Sequence, residues 1–358
     1  MPYCLFAEFK GPLKEYDFIV IGAGSAGSVL AARLSEGRQA SVLLLEAGHG
    51  EPILSEVPFL ASVLQQTNYV WHYLMEHQPG VCMGMVNERC FWPRGKAVGG
   101  TSVVNYMIYT RGNKLDWDRI AAKGNYGWSY DEVMPYYIKS ERANLRARKN
   151  SPWHGNSTCA SLASDEGANF ARGIHMDNWL YDDVYKPIEN LDTFTIMFML
   201  LHPKSKGYLQ LRSKNPFDQP KLYGNYLTHP KDVATMIAGI RYALRMVETQ
   251  PFQKYGATVY EKRFPNCEHF EFNTDQYWEC AIRTVTMTLH HQIATCKMGP
   301  ASDLEAVVDP ELRVYGINNL RVVDSSVIPN TIAAHTNAPA IMIGEKAGDM
   351  IKQTWGLR

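Results

Sequence analysis

The stretch YDFIVIGAGSAG at residues 16–27 places a short apolar run directly before a cluster of three glycines. β-branched and aromatic residues that end at a glycine are typical of a buried strand, which we predict for Tyr16–Ile21. Apolar residues then recur at helical spacing over Ser28–Leu34, and Ser41–Leu45 is a second apolar run that ends at Glu46. The pattern predicts a β-α-β unit and therefore an α/β fold.

The glycines of this unit follow the spacing Gly-x-Gly-x-x-Gly, with Glu46 placed 19 residues after the last of them. Such glycines let a pyrophosphate approach the amino terminus of a helix, and the acidic residue accepts hydrogen bonds from ribose hydroxyls. The motif predicts a dinucleotide site and leaves both NAD and FAD open. Its candidate binding residues are Gly22, Gly24, Ser25, Ala26, Gly27 and Glu46.

The composition excludes several other classes of function. The chain has 358 residues with 36 basic and 36 acidic side chains, so its formal net charge is zero. A balanced charge does not favour nucleic acid or an anionic membrane as a partner. The longest apolar run, Ile196–Leu201, is far shorter than the ~20 residues that span a bilayer. None of the seven cysteines has CxxC spacing, so we expect no metal site.

A second glycine-rich stretch, WPRGKAVGGTSVVN, occupies residues 92–105. Paired glycines followed by two hydroxyl residues expose backbone N–H groups and short donors, which suit a flat or anionic cofactor. The interleaved valines do not fit a plain surface loop. The candidate binding residues here are Gly95, Gly99, Gly100, Thr101, Ser102 and Asn105.

The residues from Gly95 to Asp118 resemble the first signature of the glucose-methanol-choline (GMC) oxidoreductases, which are FAD-dependent alcohol oxidases and dehydrogenases. The stretch HHQIATCKMGP at residues 290–300 resembles the family's segment around its active-site histidine, usually His-x-x-Gly-Thr-Cys. Here Ala294 replaces the glycine. The stretches at residues 321–326 and 335–339 also resemble the family. The sequence of these segments is most similar to the insect glucose-dehydrogenase branch.

The resemblance implies FAD as cofactor and a CH-OH donor, such as an alcohol, a sugar or a steroid-like compound, as substrate. It implies that His291 is the general base and that His335 hydrogen-bonds the substrate oxygen, while flavin takes the hydride. Histidine suits the proton step because its pKa lies near neutral pH. Asp324 and Asn337 are implied cofactor contacts, and Asn337 would cap the helix that follows it. The electron acceptor is oxygen, a quinone or a dye-like carrier.

The resemblance also implies a domain division. A Rossmann-like FAD-binding domain would combine residues 14–150 with residues 291–358, and residues 151–175 would form a junction. Residues 176–290 would form a substrate-binding domain with an antiparallel sheet and helices. Within these regions the patterns predict strands over Gly207–Arg212 and Leu320–Val323 and a helix over Asp232–Val247.

A central region of the family is missing between the two matched blocks. We find no second signature of the form Gly-Ala-x-x-Ser-Pro. An alternative function is therefore a shortened, inactive GMC-like remnant that no longer binds FAD productively. A nicotinamide-dependent Rossmann dehydrogenase would leave Gly95–Asp118 unexplained.

The localisation evidence is divided. Cys82 with Cys90, and Cys267 with Cys280, are spaced so that they could close small disulfide loops. Similar insect proteins are often secreted, whereas the first residues of this chain show no signal-peptide pattern. The sequence leaves the compartment and the oligomeric state undetermined.

Overall fold

The computed structural model describes residues 15–57, 60–141 and 171–358. The junction predicted at residues 151–175 lies outside these ranges except for its last five residues. The helices of the described chain are α1 (Ser25–Ser35), α2 (Ala61–Leu64), α3 (Lys114–Ala122), α4 (Tyr130–Ser140), α5 (Asn178–Leu180), α6 (Pro230–Val247), α7 (Gln250–Gln253), α8 (Asp275–Thr284) and α9 (Asn337–Trp355). The strands are β1 (Phe18–Ile21), β2 (Val42–Leu45), β3 (Val70–Trp71), β4 (Arg94–Gly95), β5 (Tyr208–Gln210) and β6 (Lys221–Tyr223).

The predicted β-α-β unit is confirmed at the start of the described chain. Strands β1 and β2 are parallel, with Phe18 opposite Val42, and α1 connects them. Leu30 and Leu34 of α1 are buried in the same cluster as Val20 of β1. Residues along β1 therefore alternate between buried and exposed because helices pack on one face of the sheet.

The last helix of the chain completes this first unit. Gly344 of α9 lies so close to α1 that an added Cβ would stand 2.6 Å from the Ala26 carbonyl oxygen. Beside this contact, Arg33 donates from Nε and Nη2 to the buried Glu345 carboxylate at 2.6 and 2.8 Å. Helices α1 and α9 thus pack against each other in one layer, which brings distant parts of the chain together.

The opposite face of the small sheet carries exposed apolar side chains. Ile19 is 58% exposed, Ile21 is 83% exposed and Leu45 is 45% exposed. Among the described residues this sheet has only two strands, whereas sheets in compact domains commonly have about 4–6. The predicted burial of the first strand is therefore wrong for this face, which no second layer covers among the described residues.

The substrate-side region contains a smaller sheet with helices beside it. Strands β5 and β6 are antiparallel, with Tyr208 opposite Tyr223. Helix α6 confirms the helix predicted over Asp232–Val247. The strand predicted over Leu320–Val323 is not formed; Arg321 makes only an isolated bridge to Arg313, because no neighbouring strand extends the pairing.

Both candidate cysteine pairs are disulfides in the structure. Cys82 is bonded to Cys90, and Cys267 is bonded to Cys280. The second bridge joins the turn at Pro265–Cys267 to α8, and Cys267 is fully buried. Of the described cysteines, Cys296 is free.

Removal of the second bridge should destabilise the fold. The loop spans 13 residues, and closing a loop of about this size contributes roughly 3 kcal/mol through the unfolded chain. We expect Cys267→Ser combined with Cys280→Ser to lower the free energy of unfolding in urea by about that amount. Cys296→Ser is the matched control. An unchanged midpoint in the double variant would contradict the prediction.

In the part of the chain that the structure describes, no helix is both long and apolar enough to cross a bilayer.

Candidate active site

Two glycine-rich turns meet at the amino end of α1. Gly100 has a φ of +55°, and an added Cβ would lie 2.7 Å from the Gly24 Cα atom. A Cβ on Gly95 would lie 2.2 Å from the backbone of Gly100. Glycine is therefore required at these positions for the second turn to lie directly on the first.

Three predicted cofactor residues from distant parts of the chain form one hydrogen-bonded cluster. The hydroxyl oxygens of Ser25 and Ser102 are 2.7 Å apart. The Asn337 side-chain amide donates to Ser25 at 2.9 Å and to Ser102 at 2.8 Å. Asn337 is the first residue of α9, and Thr336 holds the cap position. The predicted capping role of Asn337 is wrong, because its amide is used in this cluster.

Glu46 is held at the end of β2 by two backbone donors. Its carboxylate accepts hydrogen bonds from Ala23 N at 2.8 Å and from Gly48 N at 2.7 Å. Each oxygen keeps a lone pair for a further donor. The turn formed by Gly22, Gly24 and Gly27 lies beside it, and the N–H groups of residues 24–27 have no partner among the described residues.

The other predicted cofactor residues have separate local roles. The Thr101 hydroxyl, two residues after Gly99, accepts a hydrogen bond from Gly95 N at 3.0 Å. Asn105 accepts from Met107 N at 2.6 Å. Asp324 is exposed and accepts from Ser326 N at 2.7 Å, so it caps a short 3-10 turn and makes no contact with the serine–asparagine cluster.

These contacts fit a bound dinucleotide. Unpaired N–H groups at a helix amino terminus suit a pyrophosphate, an oriented carboxylate suits ribose hydroxyls, and the glycines leave space that a Cβ would fill. The serine–asparagine cluster adds polar groups on the same side of the cleft. Ala26 is buried in the first turn of α1 and contributes backbone only.

The two predicted catalytic histidines are in direct contact. His291 Nε2 and His335 Nδ1 are 2.7 Å apart. His291 Nδ1 lies 3.0 Å from the Thr336 hydroxyl, and Thr336 N donates to the same nitrogen at 3.3 Å. His335 N donates to the Thr110 hydroxyl at 2.6 Å. Only His335 Nε2 is left with no hydrogen-bond partner in the described part of the chain.

Burial keeps the histidines of this site neutral. Desolvation, with smaller contributions from the charges of His335 and Arg94, lowers the pKa of His291 to about 4. Desolvation also lowers the pKa of His290 to about 3, with Arg94 and His291 adding to the effect. The pKa of His335 is lowered by burial alone. Each imidazole is therefore available as a proton acceptor at neutral pH.

Residues without a predicted role hold the loop that leads to His335. The buried carboxylate of Asp116 accepts from Ala333 N at 2.8 Å and lies 2.8 Å from Nε2 of His202. Asp116 and Thr110 both lie inside the 95–118 signature, so that motif could have pointed to them. No sequence pattern pointed to His202, because it lies in a separate segment that carries no motif.

The buried histidines should make stability depend on pH. The unfolded chain binds protons near pH 6.5, whereas the folded pKa values of His290 and His291 lie lower. The free energy of unfolding should therefore be highest above pH 6.5 and fall as the pH decreases toward about 4. His290→Gln should flatten this slope in chemical denaturation series. The exposed His269→Gln is the control, and equal slopes in both variants would contradict the prediction.

The histidine pair and the glycine turns open into one cleft. The same cavity also extends along β1, β5 and α6, so it is larger than the space of one ligand. Among the described residues, no group of three or more His, Cys, Asp or Glu could hold a metal ion.

Comparison with known proteins identifies the family. Two family models, both described as GMC oxidoreductase, match residues 16–179 and 203–344. The chain belongs to the GMC oxidoreductase family. Among curated relatives of this GMC protein, glucose dehydrogenase [FAD, quinone] of Drosophila pseudoobscura pseudoobscura is 28% identical, covering 97% of this chain and 88% of that protein. The mitochondrial choline dehydrogenase of Mus musculus is 24% identical, covering 98% and 92% respectively.

Solved structures share the GMC fold. Pyridoxine 4-oxidase from Mesorbium loti matches with a TM-score of 0.70 at 19% identity, covering 95% of this chain and 99% of that one. An FAD-dependent oxidoreductase from Chaetomium thermophilum also reaches 0.70 at 17% identity, covering 96% and 100%. The Drosophila alignment runs over 551 positions, whereas this chain has 358 residues. Many of those positions therefore have no counterpart in this GMC chain.

Proposed function

We propose that this GMC protein is an FAD-dependent oxidoreductase that acts on the CH-OH group of an alcohol or sugar. The observation that supports the proposal is the hydrogen-bonded His291–His335 pair with one open nitrogen. The pair lies next to the serine–asparagine cluster, since Asn337 follows His335 by two positions. A proton acceptor therefore stands beside a cradle that suits a dinucleotide.

The cofactor would be held by the two glycine turns, Glu46 and the serine–asparagine cluster (Ser25, Ser102 and Asn337). FAD, when bound, supplies the acceptor for a hydride. The amino end of α9, which begins at Asn337, presents the positive end of its dipole to this region and favours negative charge there.

The geometry of the histidine pair supports a two-step proton path. The path uses the tautomer in which His291 Nδ1–H donates to the Thr336 hydroxyl at 3.0 Å, in place of the longer bond from Thr336 N to that nitrogen. The substrate hydroxyl would give its proton to His335 Nε2, and the proton on His335 Nδ1 would pass to His291 Nε2 across the 2.7 Å contact. His291 would then hold a proton on each nitrogen. In this scheme His335 touches the substrate oxygen and His291 is the final base, so the two roles expected from the family are combined.

The loop contacts would keep the open nitrogen aimed at the substrate. Thr110 holds the backbone of His335, and Asp116 holds Ala333 two residues earlier. These are positioning residues, since neither lies on the proton path.

The proton path should set the acid limit of activity. Burial lowers the pKa of both rings, that of His291 to about 4, so the pair should keep its ability to accept a proton below the usual histidine pKa of ~6.5. We expect kcat/KM to stay level through that ordinary histidine range and to fall only at more acidic pH. A limb centred near the usual histidine pKa would contradict the role of a buried pair.

The second candidate function is the inactive remnant. The exposed face formed by Ile19, Ile21 and Leu45 and the unmatched alignment positions favour it. The visible spectrum of the purified protein separates the two candidates. Bound flavin absorbance that bleaches on addition of an alcohol supports the oxidoreductase, and a colourless protein supports the remnant.

The electron acceptor and the compartment are part of the same proposal. Because the Drosophila relative is named as a quinone enzyme, we propose a quinone rather than oxygen as acceptor; alcohol-dependent quinone reduction without oxygen consumption would support this.

Two disulfides are typical of an oxidising compartment, which supports secretion. Detection of the protein in the medium of the cells that make it tests this.

A further inference from the structure

Arg94 is a partly buried cation without an anionic partner among the described residues. Its Nη1 donates to the Pro93 carbonyl at 2.8 Å, and its Nη2 donates to the Gln292 side-chain oxygen. No Asp or Glu of the described residues forms an ion pair with it. Other partly buried arginines do have such partners: Arg33 pairs with Glu345 and Arg111 pairs with Glu141.

The aromatic groups around Arg94 do not neutralise its charge. Burial raises the pKa of Tyr226 and of Tyr73, so both phenols stay uncharged. Burial lowers the pKa of the guanidinium itself, yet arginine keeps its proton in proteins. A guanidinium that has lost part of its water without gaining an anion is costly to the fold. A charge of this kind that lines a cleft marks a candidate functional site.

Arg94 lies beside the segment that carries His291. Gln292, which accepts from Arg94, follows His291 directly and is fixed on its other side by a hydrogen bond to the Thr288 hydroxyl. Arg94 lines the same cleft as His291 and His335. His290, also beside this charge, has a buried Nδ1 atom with no hydrogen-bond partner among the described residues.

We propose that Arg94 binds a carboxylate of the substrate, so that this enzyme prefers hydroxy acids to neutral alcohols. The substrate would place its carboxylate on the guanidinium and its hydroxyl on His335 Nε2. A planar guanidinium suits this task because it can donate two parallel hydrogen bonds to one carboxylate. The inference rests on the proposed function for its catalytic half, whereas the anion-binding half concerns Arg94 alone.

The test compares substrates that differ only in charge. We would measure kcat/KM for lactate against lactamide and for gluconate against gluconamide, in wild type, Arg94→Gln and Arg94→Lys. We expect the acid to be favoured in the wild type and the ratio to fall roughly 10- to 100-fold in Arg94→Gln, the range for a lost hydrogen bond to a charged group. Arg94→Lys should retain part of the preference. Arg245→Gln removes an exposed charge on α6 and should leave the ratio unchanged.

A second readout does not depend on turnover. Calorimetric titration with benzoate should show binding to the purified wild type, with and without flavin, and at least tenfold weaker binding to Arg94→Gln. The thermal midpoint of Arg94→Gln should equal or exceed that of the wild type, because an unpaired and partly buried charge is removed.

Three results would overturn the proposal. The first is an equal kcat/KM for acid and amide in the wild type, and the second is an unchanged acid-to-amide ratio in Arg94→Gln. The third is benzoate binding that disappears when flavin is loaded, because Arg94 would then bind the cofactor. A failure of the proposed function looks different. In that case no alcohol is oxidised and no flavin is held, while benzoate binding still reports on Arg94.

Discussion

His291→Ala should lower kcat/KM by about 10²–10⁴, the usual contribution of a positioned general base. The substitution removes the final proton acceptor and leaves His335 Nδ1 without its partner at 2.7 Å. His335→Ala should cost a similar factor because the two rings act on one proton. The measurement is steady-state kinetics with the alcohol that bleaches the flavin, with bound flavin determined from the same sample.

The double variant gives the sharper result. If the proton passes through both rings, His291→Ala combined with His335→Ala should be little worse than either single change. Independent roles would instead multiply the two losses. The exposed His269→Ala should leave both rate and flavin content unaltered. Full activity in either single variant would exclude the histidine path.

Gly100→Ala should abolish retention of flavin. The added Cβ would meet the Gly24 Cα atom at 2.7 Å, and a φ of +55° is unfavourable for alanine by about 1–2 kcal/mol. The second turn must then move away from α1, which separates Ser102 from Ser25 and Asn337. We expect at least tenfold less bound flavin per protein, measured as the ratio of visible to ultraviolet absorbance.

A matched glycine controls for the substitution itself. Gly50 has no heavy atom within 4 Å of a built Cβ and no positive φ, so Gly50→Ala should keep its flavin. The circular dichroism of Gly100→Ala should retain the helical signal, since the change lies outside the α-helices. Full flavin content in Gly100→Ala would show that the cradle is not formed by these turns.

The parts of the molecule that local sequence determines were predicted well. Residues 16–46 carry their own strand and helix signals, so the β-α-β unit and the placement of Glu46 were readable from spacing. Family motifs also named His291 and His335, which the structure places in contact. Their roles, and those of the cofactor residues, stay predictions until the variants above are measured.

The features that sequence did not reveal depend on distant partners. Asn337 was expected to cap its own helix, but its amide meets serines that lie 312 and 235 positions away. The β1 run is typical of a buried strand, yet among the described residues no layer covers its second face, and Ile21 is exposed. Arg94 was part of a recognised motif, yet its unpaired charge becomes visible only when every neighbouring carboxylate is located.

The ion pair between Arg33 and Glu345 can form only late in the synthesis of the chain. The two residues are 312 positions apart, and α9 is the last helix of the chain. During synthesis the first unit must therefore wait until the final segment emerges, on the order of tens of seconds at ordinary elongation rates. Throughout that interval the side of α1 that later receives Gly344 stays uncovered. We expect ribosome-bound chains ending before α9 to be digested by protease at residues 16–46, which the released protein protects.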